Sequence, residues 1–179
     1  DSANSRLFVG CDTGRIVILG VGDSGRNPVY VNQAPTAPVP QSPVADSEVG
    51  SASPVLVINN ATDEDGDALT YPVVVSQNNE VVFQANVPAE AGDTTTVVVD
   101  VALTENAAFT WTVQATDGKK FSAVSSASFV VNAVEEAPSI PELSTPADGE
   151  SIDGEGILAW SESTDSDPND NNISYQIEI

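Results

Sequence analysis

From residue 33 onward apolar side chains alternate with polar ones in short runs, and most runs end at clusters of Gly, Pro, Asn, Asp or Ser. A period of two sends successive side chains to opposite faces of an extended chain, so such runs read as strands with one buried face. They predict strands over Val55–Asn59, Leu69–Ser76, Glu80–Val87, Thr94–Ala102, Ala108–Thr116 and Ala127–Asn132, with an edge strand at Val39–Ser42. In the most regular run Phe109, Trp111, Val113 and Ala115 share one face and Thr110, Thr112 and Gln114 the other, which puts Trp111 in the core. The turn Asp117-Gly118 follows at once. Helical periodicity persists nowhere, and about seven short strands divided by turns is what an antiparallel β-sandwich requires.

Two Pro-rich stretches, Gln33-Ala-Pro-Thr-Ala-Pro38 and Glu135-Glu-Ala-Pro-Ser-Ile-Pro141, interrupt the alternation. Proline fixes φ and lacks a ladder donor, which suits an extended linker entering an edge strand. A related pattern follows each linker. Leu56-Val-Ile-Asn-Asn-Ala-Thr-Asp-Glu-Asp65 corresponds to Leu158-Ala-Trp-Ser-Glu-Ser-Thr-Asp-Ser-Asp167, and Ala68–Val75 to Asn172–Ile179 after two extra residues in the second loop. This is a repeat of domain length. The expected organisation is all-β, a tandem of antiparallel sandwich modules. Residues 1–32 form an N-terminal β segment, 33–134 a complete sandwich and 135–179 the first half of a second.

Within the N-terminal segment Leu7-Phe-Val9 and Arg15–Leu19 flank Cys11-Asp-Thr-Gly14 as a β-hairpin, and Val29-Tyr-Val31 adds a short strand. The second repeat lacks the strands that follow Val75 in the first. Half a sandwich has an open core and unpaired edges, which leaves two accounts. The chain is part of a longer polypeptide or its end is disordered, or else the N-terminal strands of a neighbouring subunit complete it by strand addition and build a head-to-tail fibre.

Leu158-Ala-Trp160, the acidic loop behind it and Tyr175-Gln-Ile-Glu-Ile179 resemble strands B and C of a bacterial fibronectin type III module. Ala108-Ala-Phe-Thr-Trp-Thr-Val-Gln-Ala-Thr-Asp-Gly118 is similar to the F strand and F–G turn of such modules. The resemblance spans residues 33–179 and implies a sandwich used as a spacer or binding unit in surface proteins and secreted enzymes. Ile58 stands where the B-strand Trp is expected, so immunoglobulin-like, cadherin-like and fibronectin-like variants stay open.

Charge narrows the partners. The chain carries 27 acidic and 5 basic residues, net −22, and beyond Arg26 only Lys119 and Lys120 are basic. Such a field repels phosphate backbones and anionic lipid and attracts divalent cations, so nucleic acid is not an expected partner. No apolar run is long enough to span a bilayer, and membrane insertion is not expected. With no leader segment, the chain reads as a mature secreted or cell-surface product. There is no His and a single Cys, Cys11, which excludes intramolecular disulfides, His-based nucleophile systems and the usual zinc sites. Cys11 is expected as a small buried residue in a strand or turn.

The candidate chemistry lies in two acidic loops. Asp63-Glu-Asp-Gly-Asp67 sets carboxylates on alternate residues around a flexible Gly, so that Asp63, Asp65 and Asp67 can converge on calcium, which takes six to eight oxygen ligands. It is not an EF-hand, because Ala68 stands at position six and Val74 at position twelve. The second loop offers Asp165, Asp167 and Asp170 as the matching ligands, with Asn169 beside them. The alternative is a solvated turn that only terminates strands.

Asp12-Thr-Gly14 matches an aspartic-protease tripeptide without the paired fold that chemistry needs, and Gly22-Asp-Ser-Gly25 has no His to activate Ser24. The sequons at Asn60 and Asn172 depend on a glycosylating host. The expected function is a non-catalytic extracellular spacer, adhesive stalk or filament subunit, partnered by itself or other surface proteins. The alternative is a carbohydrate-binding or accessory module of a secreted hydrolase.

Overall fold

Alternation needs a second layer against which to bury its apolar face, and two sheets supply it. The computed structural model describes residues 8–12 and 15–19, by backbone alone, and residues 31–151, 154–170 and 172–178. Strands β1 (Phe8–Asp12) and β2 (Arg15–Leu19) form an antiparallel hairpin with Asp12 opposite Arg15 and Cys11 opposite Ile16. The first strand runs on through Cys11, where a turn was expected to begin. Of the short strand expected at Val29–Val31 only Val31 is described, and it lies in no strand.

The main body holds β3 (Val39–Ser42), β4 (Ser47–Val49), β5 (Val55–Asn59), β6 (Thr70–Gln77), β7 (Glu80–Pro88), β8 (Thr94–Val98), β9 (Ala107–Val113) and β10 (Ser125–Val131). One sheet has the order β3-β5-β8 and the other β4-β10-β9-β6-β7. All neighbours are antiparallel except β4 and β10, which run parallel. The fold is an all-β sandwich. Its core is built from inward positions of both sheets: Leu56, Ile58 and Val97 from one, Tyr71, Val73, Val75, Phe109, Trp111, Val113, Phe129 and Val131 from the other. The Phe109 and Phe129 rings stack at 5.6 Å. Trp111 is fully buried, and its Nε1 donates to the Pro43 carbonyl at 3.1 Å, which satisfies the one polar atom of the indole.

Strand β5 matches its sequence expectation residue for residue, whereas β8 ends four residues early. The cause is its partner: the ladder closes at Val55 opposite Val98, where β5 begins. Val99 and Leu103 stay buried, and their N–H groups donate instead to the Pro54 and Ala52 carbonyls. Strand β4 was not anticipated, because three residues are too few to show alternation.

Farther along, β11 (Leu143–Thr145) and β12 (Ala159–Trp160) form a small antiparallel pair. The strand expected at Tyr175–Ile179 is not seen at the described residues 175–178. Its counterpart β6 is held between β7 and β9, and no equivalent neighbours exist among the described residues. Trp160 and Tyr175 pack at 5.5 Å between ring centroids. Among the described residues, no helix is long and apolar enough to cross a membrane.

Candidate metal centre

The first acidic loop connects β5 to β6. Asp63 Oδ1 accepts the N–H groups of Asp65 (2.8 Å) and Asp67 (3.3 Å), an Asx turn that folds the loop onto its own carboxylate. Gly66 sits at φ 72°, a left-handed conformation that side chains disfavour. The carboxylates of Asp63, Asp65 and Asp67 offer oxygens within 4.8 Å of one another, so this loop brings its three expected residues together. Asp65 Oδ2 accepts the backbone N–H of Gln33 in the incoming linker at 2.6 Å.

A cation of the protein's own already stands beside this cluster. Lys119 Nζ lies 2.7 Å from Asp67 Oδ2 and donates to Asn32 Oδ1 at 3.1 Å, while Lys120 Nζ donates to the Asn32 carbonyl. Hydrogen bonding to Asp67 and its negative charge raise the Lys119 pKa. Asp117 organises the turn that presents both lysines, accepting the N–H groups of Lys120 (2.6 Å) and Lys119 (2.7 Å) and the Asn32 amide (2.6 Å). These donors, with the Lys119 charge, lower its pKa to about 2.

The second loop repeats the backbone plan. Asp165 Oδ1 accepts the Asp167 N–H at 3.0 Å, and Asp167 Oδ2 accepts the N–H of linker residue Glu136 at 2.9 Å, as Asp65 does for Gln33. Ser139 N–H donates to the Thr164 carbonyl as Thr36 does to Thr62, and Tyr175 Oη accepts the Ser163 N–H as Tyr71 Oη accepts that of Ala61. The carboxylate grouping differs. Asp167 and Asp170 converge within 4.8 Å with Glu135, while Asp165 is outside that trio. Sequence reasoning missed Glu135 because it lies in the linker. Its signal was the acidic pair Glu135-Glu136 at the place where the first linker has Asn32-Gln33.

Residues of the preceding sandwich surround the second loop. Glu48 accepts Asn132 Nδ2 on one oxygen (2.9 Å) and Asn169 Nδ2 on the other (3.1 Å), bridging β4 to the loop. Glu105 Oε1 holds the N–H groups of Ala133 and Val134, and Asn106 Nδ2 donates to Glu136 Oε2 at 3.0 Å. Contact with the Asp167 carboxyl raises the Glu136 pKa, against the lowering effect of the Asn106 amide. Two ionised carboxylates offer only acceptors, so that contact is a hydrogen bond only when one of them carries a proton.

Among the described residues four buried side-chain oxygens or nitrogens have no hydrogen-bond partner: Asp63 Oδ2, Asn106 Oδ1, Asn132 Oδ1 and Asp167 Oδ1. All four are acceptor oxygens. Three belong to the second loop or to the residues bonded around it.

The two sequon asparagines differ. Asn60 is engaged, its amide donating to the Glu90 and Gly92 carbonyls and its Oδ1 accepting Thr95 Oγ1, whereas Asn172 is exposed.

No protein-family model and no curated protein matches the sequence. Among solved structures the chain is similar to the crystal structure of the FN1–FN3 domains of chicken CNTN1, with 17% identity and a TM-score of 0.40. That match covers 72% of this chain and 47% of the other, so the chain spans about half the length of that structure.

Proposed function

We propose that this chain is a non-catalytic, extracellular structural or adhesive element, an array of sandwich modules over 33–134 and from 135 onward, with calcium at its acidic loops. The observation that carries this reading is one recurring contact. In each repeat the middle Asp of the acidic loop accepts a backbone N–H of the linker leading into that repeat, Asp65 from Gln33 and Asp167 from Glu136. An acidic loop fastened to a linker acts at the hinge between successive units, where spacer length and stiffness are set. Calcium there would neutralise clustered like charges and stiffen the hinge.

Self-association is the partner chemistry this reading favours. In the second unit Leu143, Trp160, Tyr175 and Ile177 line an apolar hollow of about 510 Å³. Trp160 and Tyr175 correspond in the repeat to Ile58 and Tyr71, which are fully buried. Strands donated by another copy would cover that surface as β8, β9 and β10 cover the first.

Electron microscopy of the purified chain, paired with glycan-array screening, tests the reading. Elongated or filamentous particles without sugar binding are expected. Compact particles with reproducible sugar binding would replace it with the accessory-module alternative.

A further inference from the structure

We infer that only one of the two acidic loops is a divalent-cation site, the one at the linker between the two repeats, where Glu135, Asp167 and Asp170 take a hard cation such as calcium. The inference rests on the calcium reading above and narrows it to one place.

The two loops share a backbone plan but not a charge balance. At the first, the Lys119 ammonium lies against Asp67 and bridges to Asn32, so positive charge is supplied from within the chain. At the second, the residue matching Asn32 is Glu135, itself an acid, and no Lys or Arg occurs anywhere from Phe121 to Ile179. Three carboxylates have oxygens within 4.8 Å of one another, with Glu136 against Asp167, and among the described residues the ion pair seen is Lys119 with Asp67, at the other loop.

Each loop leaves one buried Asp oxygen without a donor, Asp63 Oδ2 and Asp167 Oδ1, so what separates them is the lysine beside the first and the deeper burial of the second. Asp167 is only 6% exposed, and its Oδ1 has no donor. A buried polar oxygen left without a partner keeps the full cost of leaving water, which a paired one recovers. Asn132, 7% exposed, also leaves its Oδ1 without a donor while its Nδ2 is tied through Glu48 to Asn169 of the same loop. Asp167, a member of the carboxylate trio with an oxygen that no donor fills, offers what a hard cation takes, oxygen ligands and no hydrogen. Carboxylates leave it to the ion to supply the positive end.

Calorimetric titration of the intact chain with calcium chloride tests the assignment, alongside Asp167→Asn, Glu135→Gln, Asp63→Asn and Lys119→Gln. One site per chain is expected, with Kd on the order of 10⁻⁴–10⁻³ M. Asp167→Asn and the exposed, fold-neutral Glu135→Gln should each weaken it at least about tenfold, Asp63→Asn should leave it unchanged, and Lys119→Gln should add a second site at the first loop. Two sites in the unaltered chain, loss of binding in Asp63→Asn, or a single site persisting in Lys119→Gln would overturn the one-loop assignment while leaving calcium binding in place. No binding at millimolar calcium would remove both this inference and the calcium part of the proposed function, with the spacer reading still judged by microscopy.

Discussion

Asp117 shows how one side chain can organise a loop. Its carboxylate gathers two backbone N–H groups and the Asn32 amide, and the turn that results aims Lys119 at Asp67. These donors favour the ionised form, so the pKa drops from 3.8 to about 2. The folded state then binds this proton less readily than the unfolded chain does. Its contribution to stability is complete above 3.8 and is lost as pH falls through about 2. Urea midpoints of the parent chain and Asp117→Asn, followed downward in pH, should therefore converge across that window. A gap that stays constant would show that the carboxylate is not what holds the turn.

Single residues were unevenly legible in the sequence. The inward set Phe109, Trp111, Val113 and Ala115 could be read directly, because period two is a local property of the chain. Glu135 could not, since its significance depends on Asp167 and Asp170, more than thirty residues away, folding back beside it.

At the level of strands and connections, β8 carries Thr95, among the described residues the one buried polar side chain inside a strand. Its hydroxyl donates to Asn60 Oδ1 at 2.6 Å and accepts the Glu90 N–H at 2.9 Å, tying the end of β5 to the segment between β7 and β8. Thr95→Val keeps the shape and removes both bonds, leaving Asn60 and Glu90 unmatched. A loss of about 1–3 kcal/mol is expected in chemical denaturation; an unchanged midpoint would mean water replaces the hydroxyl without cost. Strand interiors were readable from alternation, but strand ends were not. The end of β8 is decided by where β5 begins, and β4 exists because β10 offers it an edge. Both are facts about partners, which a linear reading does not contain.

For the whole molecule the two repeats differ most in what covers their apolar faces. The first buries its own. The second leaves Leu143 82% exposed and Ile177 53% exposed, large apolar side chains grouped around one hollow, and the self-association proposed above would use this face. Light scattering behind size exclusion should show mass rising with concentration, and Ile177→Lys should abolish the rise. A monomer of constant mass at every concentration would refute assembly through this face. The repeat itself was visible in the sequence at module length, and so was the missing cover, because the second copy lacks the strands that follow Val75 in the first; that residues 172–178 hold no strand without it followed from seeing that β6 depends on neighbours on both sides.

The parallel pairing of β4 with β10 also bears on mechanics. β4 lies early in the sandwich, β10 leads out of it, and Ser47, Glu48 and Val49 stand opposite Phe129, Val130 and Val131. Tension applied through the two flanking linkers draws these strands in opposite directions along their own axes. The bonds between them then share the load and must yield together in shear instead of opening one at a time from an end. Inward of β3, which meets the first linker, a unit built this way answers stretching with a strand pair loaded in shear.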